Sequence, residues 1–60
     1  MAKNTFKRFH DQDNDTLEFW ENVFLPGFYF IQASDNEESV ALRFTREELE
    51  EIADYIKGLP

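Results

Sequence analysis

The lack of cysteine in a chain of only 60 residues is the feature that most limits how this protein can be held together. A domain of this size buries only about 60% of the surface that its unfolded chain exposes, so its hydrophobic core is small. Small domains usually compensate with disulfides, a structural metal or a partner subunit. Without cysteine, disulfides, thiol nucleophiles and cysteine-based metal sites are excluded. Residues 1–60 are therefore expected to form one small domain with either an efficient core or a partner subunit.

Aromatic side chains are expected to contribute most of the apolar surface of such a core. The chain contains seven Phe, two Tyr and one Trp, and each aromatic side chain can bury roughly 150–250 Å². This is more apolar surface than one sheet face covered by one helix can hide. We therefore expect either that both faces of a sheet are covered or that some aromatic residues form an exposed contact surface.

Residues 46–57 are predicted to form an α-helix, because all the local signals agree. Thr45 and Glu48 have the spacing of a capping box, in which each side chain bonds the backbone N–H of the other residue. Gly58 provides a stop signal at the C-terminus. Apolar residues with the spacing i, i+3, i+4 and i+7 define the buried face of this helix: Leu49, Ile52, Ala53 and Ile56.

The β-rich segments 28–33 and 39–44 predict a β-hairpin that leads directly into this helix. The residues between them, 34–38, are Ser, Asp, Asn and two Glu, which favour a turn. The first segment is apolar on both faces, which indicates a central strand or an edge strand that meets a partner. The second segment alternates, and its apolar residues are expected to pack beneath the helix: Val40, Leu42 and Phe44.

The N-terminal half allows two interpretations. Residues 16–24 alternate as a strand does, but they also fit a short helix capped at Asp15. The strand version pairs residues 5–10 with residues 16–21 and brings opposite charges together: Lys7 and Arg8 with Glu18 or Glu21. We favour this version. It predicts an α+β fold, a small antiparallel β-sheet of three to four strands packed by one C-terminal α-helix, and the alternative order is βαββα.

The turn at residues 10–16, HDQDNDT, has three aspartates at alternate positions, as at the start of an EF-hand calcium loop. That loop also requires Gly at position 6 and a bidentate Glu at position 12. Counted from Asp11, these positions hold Thr16 and Asn22. Asp and Asn are common in turns because their side chains accept hydrogen bonds from nearby backbone N–H groups. We therefore predict a turn and no metal site.

No catalytic or cofactor site is predicted. Acid–base chemistry by paired carboxylates needs a cleft that perturbs their pKa values, and so small a chain rarely forms one. The only glycines are Gly27 and Gly58, so there is no Gly-rich phosphate loop. A single histidine beside a turn, His10, is usually an ordinary surface residue. The sequence therefore predicts that the chain is not an enzyme.

Charge is the strongest functional signal. Thirteen acidic residues against six basic ones give a net charge of −7, and all the acids lie within residues 11–54. This charge repels nucleic acid and anionic membranes and attracts basic protein surfaces. The sequence has no long apolar run and no export signal. We therefore expect a cytoplasmic protein that binds neither nucleic acid nor membrane directly.

The predicted helix concentrates this charge, since its five carboxylates follow one another about every 2.4 Å along the axis. Duplex DNA carries one charge per about 1.7 Å. The same charge pattern is also expected for a solvated helix face that only keeps the chain soluble. The functional hypothesis is an acidic surface with aromatic anchors that together bind a partner. The candidate acids are Glu47, Glu50, Glu51, Asp54, Asp35, Glu37 and Glu38, and the candidate anchors are Trp20, Phe28, Tyr29 and Phe30.

In size and charge alone, the chain resembles the small acidic inhibitors that viruses use against nucleic-acid enzymes of their hosts. This resemblance implies an inhibitor or modulator that binds the basic, nucleic-acid-binding surface of a partner protein as a DNA mimic. The alternative is a homodimeric structural domain whose aromatic face joins two copies and whose acids only confer solubility. The two hypotheses differ in salt dependence, because salt screens charge attraction but not hydrophobic burial.

Overall fold

The computed structural model describes residues 2–60 and contains one antiparallel sheet followed by one helix. The elements are β1 (Lys3–His10), β2 (Thr16–Asn22), β3 (Phe28–Ser34), β4 (Ser39–Thr45) and α1 (Arg46–Lys57). Each strand pairs with the next one along the chain, so the order in the sheet is β1-β2-β3-β4. The α+β prediction is confirmed, and β3 is a central strand. The helical alternative for residues 16–24 is wrong.

The predicted pairing of residues 5–10 with the start of β2 is confirmed, with Arg8 opposite Glu18, whereas Glu21 lies opposite Asn4. Lys7, however, does not reach Glu18, because consecutive residues of a strand point to opposite faces. A bulge between Thr5 and Lys7 inserts one extra residue into β1. The bulge reverses the alternation, so Lys3 and Thr5 share a face with Arg8. Lys3 therefore occupies the place beside Glu18 that the sequence had suggested for Lys7.

The two faces of the sheet differ in composition. One face, here called the apolar face, has aromatic contacts from Phe9 to Phe19 and from Phe6 to Tyr29, with ring centroids 5.9 and 6.0 Å apart. The strand registers place ten apolar residues on it: Phe6, Phe9, Leu17, Phe19, Tyr29, Ile31, Ala33, Val40, Leu42 and Phe44. The other, here called the mixed face, combines charged and aromatic residues: Lys3, Thr5, Arg8, Glu18, Trp20, Phe28, Phe30, Gln32, Ala41 and Arg43.

The predicted helix and its capping box are confirmed. The Thr45 backbone N–H donates to Glu48 Oε1 at 2.9 Å, and the Glu48 N–H donates to Thr45 Oγ1 at 3.3 Å. Thr45 is also the last residue of β4, so the strand passes into the helix without a loop. No helix in residues 2–60 is long and apolar enough to cross a membrane.

The expected packing of the helix over β4 is wrong. Val40 and Leu42 are 59% and 56% exposed, and Ile56 is 57% exposed. A helix needs a connecting segment, commonly of two to six residues, to turn back onto its own sheet, and here there is none. The helix therefore leaves Val40 and Leu42 uncovered, while Phe44 and Leu49 near the junction are half-buried. No apolar residue in the described part of the chain is fully buried.

Candidate interaction surfaces

Glu18 is the one buried residue among residues 2–60, with 6% of its surface exposed. Arg8 Nη2 and Thr5 Oγ1 donate to its Oε2 at 2.6 and 3.3 Å, and Lys3 Nζ contacts its Oε1. Hydrogen bonds from Lys3 and then from Arg8 lower the pKa of Glu18 from 4.5 to about 2. The negative charge of Glu18 is thus balanced by Lys3 and Arg8, and these contacts join β1 to β2. The Glu18 carboxylate is therefore unavailable for a partner.

Glu18→Gln should lower the free energy of unfolding by about 1–2 kcal/mol. Hydrogen bonds to charged groups are worth about 1.5–3 kcal/mol each, but Lys3 and Arg8 are themselves exposed, so solvent screening reduces this value. Urea unfolding at neutral pH measures the change. The control is Glu21→Gln, whose carboxylate accepts one hydrogen bond among residues 2–60, from Asn4 Nδ2 at an exposed position. This change should shift stability by less than about 0.5 kcal/mol.

Glu18 also predicts a pH dependence. A carboxyl group whose pKa is lowered by folding stabilises the folded state above its unfolded pKa, and this stability is lost as the pH falls through the folded pKa. Stability should therefore decrease between pH 4.5 and about 2, with a shallower decrease in Glu18→Gln. Equal pH profiles for the two proteins would contradict this role.

The candidate aromatic anchors lie on different faces. Trp20 and Phe30 stack on the mixed face with ring centroids 4.3 Å apart, and Phe28 lies under the Arg43 guanidinium at 4.7 Å. All three are partly buried. Tyr29 points to the apolar face. Trp20 and Phe30 therefore form a stacked pair within the sheet, Phe28 packs under Arg43 on the same face, and Tyr29 belongs to a separate surface.

The two acidic turns have the structure predicted for them. Asp11 Oδ1 accepts hydrogen bonds from the N–H groups of Asp13 and Asp15 at 2.8 and 2.9 Å. In the β3–β4 turn, Asp35 Oδ1 accepts from Glu37 and Glu38 at 2.8 and 2.7 Å. The backbone N–H of Glu38, and then that of Glu37, lowers the pKa of Asp35. Asp11 and Asp35 thus hold the turns.

Asp11, Asp13 and Asp15 each have a carboxylate oxygen within 4.8 Å of the others. Their proximity follows from the turn, because Asp11 folds back on the backbone and Asn14 adopts a φ of 67°. Exposed acidic groups in a turn commonly adopt such an arrangement without a metal ion. The absence of a metal site stays a prediction.

An open groove of about 560 Å³ lies between these two turns, at one end of the sheet. Its floor is one cross-strand row of the apolar face, and its rim carries four carboxylates from the two turns. The floor residues are Phe9, Leu17, Ala33 and Val40, and the rim acids are Asp11, Asp15, Asp35 and Glu38. Sequence reasoning missed this groove because its walls come from segments about 20 residues apart, which only the strand register unites.

The helix acids form a second, separate surface. Glu47, Glu50, Glu51 and Asp54 are exposed, and their only ion pair in the described chain joins Arg46 Nε to Glu50 Oε1 at 3.3 Å. The β3–β4 turn and α1 lie at opposite ends of β4, which is about 20 Å long for seven extended residues. The candidate acids therefore divide into a turn-end group and a helix group.

Comparisons with protein-family models, curated proteins and solved structures gave no match. The groove with its acidic rim and the exposed apolar face differ most from an ordinary solvated surface.

Proposed function

We propose that this chain is a cytoplasmic protein-interaction module that binds a basic, nucleic-acid-binding surface of a partner protein and inhibits or modulates that partner. The observation that carries the proposal is the groove, which combines an apolar floor with four carboxylates on its rim. Lys and Arg side chains have an apolar stem and a charged end. A groove of this composition suits such a side chain, with the stem on the floor and the charge at the rim.

The distribution of charge supports the same partner chemistry. Asp13 and Glu37 add to the acids at the turn end and line a second, smaller depression between the turns. None of the residues around either depression is Lys or Arg. A net charge of −7 would steer a basic partner towards the chain and speed association. The five carboxylates of α1, spaced about every 2.4 Å along its axis, would extend the likeness to DNA.

Two matched variants test the proposal, each removing two negative charges. Asp15→Asn with Glu38→Gln alters the groove rim but leaves Asp11 and Asp35 to hold the turns. Glu47→Gln with Glu51→Gln alters the helix by the same charge. With the full chain as bait in lysate, the unmodified protein should recover nucleic-acid-binding proteins at low salt and release them at high salt. The groove variant should recover at least about tenfold less.

The helix variant is the control for net charge, since it should retain most of the binding. Equal recovery by the unmodified chain and the groove variant would contradict a role for the groove. Equal losses in both variants would mean that only total charge matters.

The second candidate function is a homodimeric structural domain whose acids only keep it soluble. The exposure of the apolar face favours it. In that case the bait would recover no basic partner at any salt concentration, but it would still self-associate.

A further inference from the structure

No part of residues 2–60 covers the apolar face. Across β2, β3 and β4 it carries the row Phe19, Ile31 and Leu42, with each residue opposite the next. Leu42 is 56% exposed, and Phe6 at the β1 bulge is 52% exposed. A contiguous apolar surface of this kind on a folded chain usually marks a site of association.

The α1 helix also carries an apolar stripe that is not buried against the sheet. Leu49, Ile52 and Ile56 lie on one side of the helix, and none of them is buried. Because β4 passes into α1 at Thr45 without a loop, this stripe cannot turn onto its own sheet. The helix is instead available to the sheet of another molecule.

The size of the chain points to a second copy as that molecule. Its accessible surface is 5204 Å², whereas a folded monomer of this mass exposes about 4,100 Å². Its radius of gyration is 12.7 Å, compared with about 10.4 Å for a compact domain of this length. The excess surface is about 1,100 Å² per chain, or about 2,200 Å² for two chains, which is within the range of obligate homodimers.

The helix acids do not oppose such an arrangement. Glu47, Glu50, Glu51 and Asp54 repeat the spacing of the apolar stripe but are displaced by two residues, which is about 200° around the axis. They therefore point away from any sheet on which the stripe packs. The central row of the apolar face, Phe19, Ile31 and Leu42, continues in β1 with Lys7, which lies opposite Phe19. Lys7 is basic and therefore does not repel the acidic helix.

We infer that the chain forms a symmetric homodimer in which the α1 helix of each copy packs on the apolar face of the other. The interface centres on the Phe19, Ile31 and Leu42 row and on Phe44 towards the helix end of the sheet, and the groove with the acidic rim lies at the opposite end. This inference does not depend on the proposed partner binding. The dimer should survive high salt, whereas binding of a basic partner should not, so the two can fail separately.

Sedimentation and NMR on the unmodified chain test the inference. The sedimentation mass should be twice 7.2 kDa at both low and high salt. In an equal mixture of isotope-labelled and unlabelled chains, NOEs between different chains should join the methyl groups of Ile52 and Ile56 to those of Ile31 and Leu42. A mass of one chain, or NOEs between chains that join only sheet to sheet, would overturn the proposal.

A change in the connection provides a second test that preserves all the contacting residues. A flexible linker of about eight Gly/Ser residues followed by one Thr, inserted between Thr45 and Arg46, lets each helix reach its own sheet while the new Thr caps the helix, and linking favours contact within one chain. This variant should sediment as a monomer with its helix retained. The same linker inserted after Asn36, in the β3–β4 turn, should leave the dimer intact. A dimer of unchanged affinity with the linker after Thr45 would overturn the exchange of helices.

Discussion

Leu42→Asp is expected to weaken self-association about 100- to 1,000-fold, because it places an unpaired charge where the helix of the second copy packs. The matched control is Ala41→Asp, one residue earlier in β4. The register puts Ala41 opposite Gln32 on the mixed face and Leu42 opposite Ile31 on the apolar face. The same charge is thus added to the same strand, on opposite sides of the sheet.

The comparison is informative because Leu42 is already 56% exposed within its own chain. A charge at such a position in an isolated monomer should change stability by only about 0.5 kcal/mol. Sedimentation over a range of concentrations measures the association. The thermal midpoint of the unmodified chain should also rise with concentration, as it does when folding is linked to dimerisation. Similar behaviour of the two Asp variants would argue against a covered apolar face.

Trp20→Ala should lower the free energy of unfolding by about 1–3 kcal/mol, because it removes the apolar area that the half-buried indole covers and the stacking of this ring on Phe30. Trp20 stacks on Phe30 at 4.3 Å and lies under the Lys3 ammonium at 5.1 Å. Its indole Nε1 is buried without a hydrogen-bond partner in the described chain. An unpaired buried donor costs about 1–3 kcal/mol.

Trp20→Phe is the matched variant, since it keeps a ring for the stack and removes the unpaired N–H. The loss of ring area and the removal of this donor oppose each other, so stability should stay within about 1 kcal/mol of the unmodified chain. Urea unfolding followed by far-UV circular dichroism measures both variants. A small loss in Trp20→Ala would mean that Trp20 is not a packed residue and would return it to the candidates for partner contact.

Local sequence signals were sufficient to predict the position of the helix and most of the strand boundaries. Thr45 and Glu48 determine where α1 begins through hydrogen bonds three residues apart, and no distant residue is needed. The turn acids behave in the same way, because Asp11 and Asp35 bond to backbone groups within four residues. Interactions of this range can be recognised in a sequence without knowledge of the fold.

The identity of the residues around Glu18 could be predicted only in part. The pairing of residues 5–10 with residues 16–21 predicted that Lys7 and Arg8 lie near Glu18 or Glu21, and the structure confirms the contact of Arg8 with Glu18. The participation of Lys3 depends on the bulge after Thr5, and no spacing in the sequence signals an extra residue in a strand. The division of the aromatic candidates between the two faces was visible in β3, but the stacking of Trp20 on Phe30 required the register between strands.

The sequence by itself determined the helix, the hairpin before it, the acidic charge and the turn chemistry, because these properties depend on composition and on neighbours a few residues apart. The choice of a strand for residues 16–22 was settled by their pairing with β1 and β3. Only the tertiary structure decided where the acids meet and what the helix covers. Antiparallel pairing brings two turns together at one end of the sheet and creates the groove. The direct junction at Thr45 holds α1 away from its own sheet, since a chain needs connecting residues to reverse direction, and so it leaves the apolar face exposed.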